Sequence, residues 1–141
     1  MNSDEQMNYS SGMGAFESKE FPRAMQFLLP FAEKGDPDAQ HRVAIMYQNG
    51  LGMVVNQLHA FKWMQKAADQ GHAVAQHGLG FMYMEGDCAD KDGEKAVEWF
   101  TKAADQGLVG SLTTLAMLYD EGNLVAQDKE LAKELYKKAG F

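Results

Sequence analysis

The residues able to do chemistry in this chain are few, and each can be weighed against its neighbours. His41 and His77 occupy the same position of a recurring pattern, and His72 stands about one and a half helical turns ahead of His77. Imidazoles brought together on adjacent helices could share a metal or serve a hydrolase. A stable zinc site, however, usually takes four ligands, and the next equivalent position is Thr113. Cys88 is the only cysteine, so it makes no internal disulfide, and no neighbouring histidine or basic cluster lowers its pKa. The stretch GDCADKDGEK resembles part of a calcium loop. With Gly93 at the invariant glycine, though, Cys88 falls on the first ligand and Trp99 on the bidentate carboxylate. No H-E-x-x-H, G-x-S-x-G, S-x-x-K, C-x-x-C or G-x-x-x-x-G-K occurs. No catalytic residue, metal or cofactor is expected. Of the ten methionines, Met46 and Met82 fall in a core register, which leaves Met84 and Met117 for a surface where adaptable thioethers serve binding.

The elements that must position these residues announce themselves by repetition. WMQKAADQG starts at Trp63 and WFTKAADQG at Trp99, an interval of 36 residues. The same interval aligns Ala39, Ala75 and Ser111; Tyr47, Tyr83 and Tyr119; Gly50, Gly86 and Gly122; and Ala60, Ala96 and Ala132. An enzyme needs one copy of its chemistry, whereas stacked layers need the same packing instructions in each. Each unit has two amphipathic helical faces, such as Ala75, Leu79, Met82 and Tyr83, then Ala96, Trp99, Phe100 and Ala103. Gly50, Gly86 and Gly122 end the first helix and Asn56, Asp92 and Asp128 cap the second; Gly35, Gly71 and Gly107 end the second, and Asp36 with Pro37 opens the next unit. Upstream, Gly14, Ala24, Phe27, Ala32 and Gly35 keep the register of a degenerate unit whose first helix, roughly Asp4 to Phe16, is polar.

At 141 residues, 45% of them hydrophobic, the chain can fill a sizeable core. Its start has neither a basic nor an apolar leader segment, its apolar runs are too short to span a membrane, and a cytoplasmic location is expected. A net charge of −7 without a Lys/Arg patch argues against nucleic acid as partner.

These residues resemble the Sel-1-like repeat, a relative of the tetratricopeptide repeat. The copy from Ala75 to Gly107 carries Leu79, Gly80, Tyr83, Gly86, Asp92, Ala96, Trp99, Lys102, Ala103, Ala104 and Gly107 of its pattern. The copy from Ala39 to Gly71 has Val43 and Ala44 for Leu-Gly and Asn56 for Asp; the third keeps Tyr119, Gly122, Asp128, Ala132, Lys138 and Ala139. The loop pattern G-x-G survives whole only as Gly50 and Gly52, since Cys88 and Leu124 replace its second glycine, so those loops are expected to turn differently. The resemblance implies an all-α, α/α superhelical solenoid of about four helical hairpins: a degenerate tetratricopeptide-like capping hairpin at 1–35, then repeats at 36–71, 72–107 and 108–141 in one continuous domain. It further implies a protein- or peptide-binding module. Cysteine-rich relatives linked to β-lactams carry a disulfide in each repeat, and with Cys88 alone that branch does not transfer.

A second stripe on the first helices is where function is expected. His41, Ile45 and Gln48, then His77, Phe81 and Met84, then Thr113, Met117 and Asp120 lie opposite the core stripe. In a tetratricopeptide-like stack that side lines the concave face. Ile45, Phe81 and Met117 make it apolar where plain solvent would favour polar residues, and such patches mark interaction sites. Glu85, Asp120 and Glu121 at the rim point to a protein or peptide ligand with some positive charge, with no nucleic acid or membrane as partner. The alternatives are a hydrolase or metal-dependent activity on the His41/His77 face, and a homo-oligomer built through the third repeat.

Overall fold

Short polar side chains begin four of the helices after the first two, and glycines end three. In the computed structural model, which describes Met1–Phe141, the carboxylate or amide oxygens of Asp36, Asn56, Asp92 and Asp128 accept the amide protons of Ala39, His59, Lys95 and Leu131, each three residues ahead. The free N–H groups of a first turn are satisfied in this way. The helices so begun are α3 (Pro37–Asn49), α4 (Gln57–Asp69), α6 (Gly93–Asp105) and α8 (Lys129–Lys138). Between them lie α5 (Ala73–Glu85) and α7 (Val109–Glu121), and α1 (Ser3–Glu17) and α2 (Phe21–Glu33) precede them. There is no strand. Two caps escape a sequence reading: α5 is capped by the His72 ring, whose Nδ1 accepts from Ala75 at 3.1 Å, and α7 begins at Leu108 with no side-chain cap.

Three hairpins are closed by one device. Gly50, Gly86 and Gly122 end α3, α5 and α7 in the left-handed region, at φ of 64°, 70° and 68°. The chain then returns so that the amides of Asn56, Asp92 and Asp128 donate to the carbonyls of Tyr47, Tyr83 and Tyr119 at 2.9–3.0 Å. The loops inside this frame differ as expected, with one reversal. Cys88 keeps the left-handed turn of Gly52 despite its side chain, at φ of 66° against 75°, whereas Leu124 does not.

The chain forms two compact units, Met1–Gln70 and Gly71–Phe141. In the first, α1 packs on α2, α2 on α3 and α3 on α4. Leu28, Ala24, Ala39, Val43, Met46, Ala60, Trp63 and Met64 are its core. Its first hairpin departs from the other three. Gly14, at the repeat position of Gly50, does not end α1; the helix runs on to Glu17 and the left-handed residue is Lys19, at φ of 62°. The close approach is made instead by Gly12, where a Cβ would stand 2.7 Å from Leu28. In the second unit α5 packs on α6, α6 on α7 and α7 on α8. Its core is Ala75, Leu79, Met82, Tyr83, Ala96, Trp99, Phe100, Leu115, Leu118 and Leu135.

A polar pair recurs inside both units. Gln40 and Gln76 sit on the core side of α3 and α5, almost fully buried. The side-chain amide of Gln70 donates to Gln40 Oε1 and to the Gly35 carbonyl at 2.8 and 2.9 Å; that of Gln106 donates to Gln76 Oε1 and to the Gly71 carbonyl at 2.8 Å each. The glutamine of each KAADQG phrase thus ties the end of one hairpin's second helix to the helix before it. The third repeat has Leu112 at the buried position.

Candidate functional site

Side chains of α5, α7 and the loops that follow them line a cavity of about 410 Å³ in the second unit. Phe81, Met84, Met117, Leu118 and Leu124 make its apolar surface; Glu85, Glu121, Lys91, Thr114 and Asn123 complete it. Met117 is 46% exposed and Phe81 37%, high for large apolar side chains inside helices. Every residue concerned belongs to two helices held by the Gly86 and Gly122 turns and to the loops that those turns open. The site is preformed by packing rather than by a mobile segment.

The sequence-derived residues divide on inspection. Phe81, Met84, Glu85 and Met117 line the cavity. Thr113 does not: its hydroxyl donates to the Val109 carbonyl at 3.2 Å, and its neighbour Thr114 lines the wall instead. Asp120 is outside the lining and pairs with Lys129 at 3.6 Å, so its charge is partly answered within the chain. Glu85 and Glu121 are exposed and have no ion-pair partner, which leaves them as the acidic rim. In the first unit His41, Ile45 and Gln48 are half-buried on α3. The sequence reading missed Thr114, Leu118, which falls on the core register of Met46 and Met82, and the loop residues Lys91, Asn123 and Leu124, which no helical stripe flags.

Phe81 is less free than an outward position implies. Its ring meets those of His77 and Phe100 edge to face, with centroids 4.8 and 5.3 Å apart, and His77 also meets Phe100 at 5.2 Å. This cluster fixes the cavity wall on the core beneath it.

The half-buried His77 ring is engaged within the chain. Its Nδ1 lies 2.7 Å from Ser111 Oγ, one donating and the other accepting according to the imidazole tautomer, and burial holds its pKa below the usual 6.5. A serine beside a histidine has the chemistry of a nucleophile and its base, but Ser111 is 0% exposed and no substrate atom can reach it. His72 spends its Nδ1 on the α5 cap. The Cys88 thiol is pushed up to about 11, first by burial and then by the Asp87 carboxylate, so it is protonated and unreactive near neutral pH. No three His, Cys, Asp or Glu side chains converge.

An all-helical chain whose hairpins repeat one closing device is a helical-repeat protein. The sequence model of the Sel1 repeat matches residues 37–72, 73–108 and 112–140, and the chain belongs to the Sel1 repeat family. It is similar to the crystal structure of a Sel1 repeat protein from Oxalobacter formigenes, with a TM-score of 0.84 and 31% identity over 93% of this chain and 54% of that one. It is similar also to a protective antigen present in uropathogenic Escherichia coli strains and displaying an SLR fold, with a TM-score of 0.88 and 32% identity over 96% of this chain and 30% of that one. The chain therefore spans about half of the first and under a third of the second. Helicobacter pylori cysteine rich protein B, 20% identical with a TM-score of 0.64 over 85% of this chain and 86% of that one, shares the fold. No curated protein matches the sequence significantly. Repeats of this family generally mediate contacts between proteins and form scaffolds rather than catalytic sites. No helix of the chain is long and apolar enough to cross a membrane.

Proposed function

We propose that the chain is a non-enzymatic binding module and that the α5/α7 cavity receives a protein or peptide segment presenting one large apolar side chain beside a lysine or arginine. The observation that carries this reading is the cavity itself: apolar walls of Phe81, Met84, Met117 and Leu118 beside two carboxylates, Glu85 and Glu121, that form no ion pair within the chain. The apolar anchor is desolvated on the thioethers and the ring, and the cation beside it meets the rim. Lys91 on the same lining sets a limit, since it disfavours a second basic residue on its side.

Selection from a peptide-display library tests this directly. Selected peptides share an apolar anchor next to Lys or Arg, lose affinity for Met117→Glu, and bind Glu85→Gln/Glu121→Gln with a weaker dependence on salt. Peptides that bind the Met117→Glu protein as well as the wild type place recognition elsewhere.

A further inference from the structure

Two of the ten methionines differ from the rest in what surrounds them. Met46 and Met82 are 0% exposed and Met64 2%, inside the core. Met84 and Met117 instead line the α5/α7 cavity, the first half-buried and the second exposed, so both thioethers stand between solvent and an apolar wall. The repeat itself shows what a polar group does at one of these places. Met84 stands where the first repeat has Gln48 and the third has Asp120, and α3 and α7 run through those polar residues without a break. Met117, 46% exposed, has room for an added atom on its solvent side. Polarity gained at these two sulfurs therefore changes the cavity before it changes the fold. Met1 and Met7 are exposed as well, but they lie at the start of the first unit, away from this wall.

We propose that Met84 and Met117 form a reversible oxidation site: a neutral two-electron oxidant of the peroxide class converts their thioethers to sulfoxides, and the α5/α7 cavity, read as above to hold a protein or peptide segment, releases it. With hydrogen peroxide, a sulfur lone pair attacks one peroxide oxygen and the O–O bond breaks. The sulfur is oxidised by two electrons to the sulfoxide, and the other peroxide oxygen leaves as water with both protons. The surroundings favour this reaction over its competitors. A thioether has no proton to lose and is nucleophilic at any pH, whereas the one thiol, Cys88, is half-buried beside the Asp87 carboxylate and stays protonated. Glu85 and Glu121 outnumber Lys91 on the lining, so anionic oxidants are repelled and uncharged ones are not. The product carries a polar S–O group that holds its water, and an apolar anchor is then no longer desolvated on the wall. Enzymic reduction of the sulfoxide returns the thioether, which makes the change reversible.

Graded treatment of the whole chain with hydrogen peroxide, followed by peptide mapping for added oxygen, reads the site without any ligand. Met84 and Met117 are expected to gain oxygen well before Met46, Met64 and Met82, with Cys88 unmodified and helical circular dichroism retained. A peptide selected by display on the reduced chain should then bind the oxidised chain roughly tenfold or more weakly, and a methionine sulfoxide reductase should restore its affinity. In Met84→Leu/Met117→Leu, the affinity measured before and after peroxide should not change, which separates these two sulfurs from Met1 and Met7. Oxidation that reaches Met46 or Met82 as early as Met117, or that unfolds the chain in step with the Met117 sulfoxide, overturns the proposal. So does a peptide that stays bound once both residues are oxidised, or one that peroxide also displaces from the double variant. A chain that selects no apolar and basic peptide even when reduced overturns the cavity reading and this regulation with it, whereas selected peptides that survive oxidation overturn the regulation alone.

Discussion

A Cβ on Gly80 would stand 2.9 Å from ring carbons of Phe100, so the α5 backbone and that ring are in contact with no room for a methyl group. The other repeats have Ala44 with Met64 and Ala116 with Tyr136 at the same two positions, and both alanines are fully buried. The small residue and the large one are chosen as a pair. Gly80→Ala alone should therefore cost about 1 to 3 kcal/mol by overpacking, despite alanine's better helix propensity. Gly80→Ala/Phe100→Met, which imports the first repeat's pair, should recover part of the loss. Urea melts of the two variants check this; equal stability of Gly80→Ala and wild type would show that the ring has space to move.

Gln106 and Gln76 should behave as a coupled pair. Gln106→Ala leaves Gln76 Oε1 and the Gly71 carbonyl without this donor, and the cost should be about 1 to 3 kcal/mol, the desolvation penalty of a buried polar atom left unmade. Once Gln76 is already Leu, the residue found at position 112, the same Gln106→Ala change should cost less. A double-mutant cycle with no coupling would contradict the bond.

Trp99 is 8% exposed, with Lys102 Nζ over its ring at 4.3 Å. Trp99→Ala should cost about 3 to 5 kcal/mol as a large-to-small core change. Lys95→Ala, on the exposed side of α6, removes only a cation over the Tyr83 ring at 5.4 Å and should cost less than about 1 kcal/mol. Comparable losses from the two would mean that the buried face of α6 is misassigned.

His77 should make stability fall with acid. Its folded pKa lies below 6.5 because burial penalises the imidazolium. As pH drops through 6.5 the unfolded chain takes up a proton that the folded chain does not, so stability decreases until the folded pKa is reached and then levels off. The stability gap between wild type and His77→Gln should therefore narrow between roughly pH 7.5 and pH 5.5. A gap independent of pH would show a solvated ring.

Phe81→Glu is expected to destabilise as well as to abolish peptide binding, since the ring seals His77 and Phe100. Met117→Glu, on the more exposed side chain, should leave circular dichroism and the melting midpoint close to wild type while binding falls by about 2 kcal/mol or more, the scale of a lost hot spot. Loss of fold in Met117→Glu would place that residue in the core.

The sequence by itself determined the hairpins, because their signals are local. Asn56, Asp92 and Asp128 cap helices within three residues of themselves, and Gly50, Gly86 and Gly122 end them through a backbone angle that glycine adopts without strain. Periodicity likewise sorted Met46 and Met82 into the core and left Met117 outside. What only the tertiary structure decided depends on residues far apart in the chain. Gly14 stands at a helix-ending position, yet α1 runs past it, because a glycine permits the left-handed turn without compelling it and the packing of Gly12 on Leu28 sets the hairpin instead. Gln40 and Gln76 look like surface residues until Gln70 and Gln106 arrive from the following helices to satisfy them. The outward stripe leaves Phe81 and Met117 exposed, but it does not foretell that the His77 ring meets Ser111 or that the Asp120 charge meets Lys129. A helical wheel assigns a direction to each side chain; which partner waits there is settled by the neighbouring helix, through desolvation and hydrogen bonding that no spacing encodes.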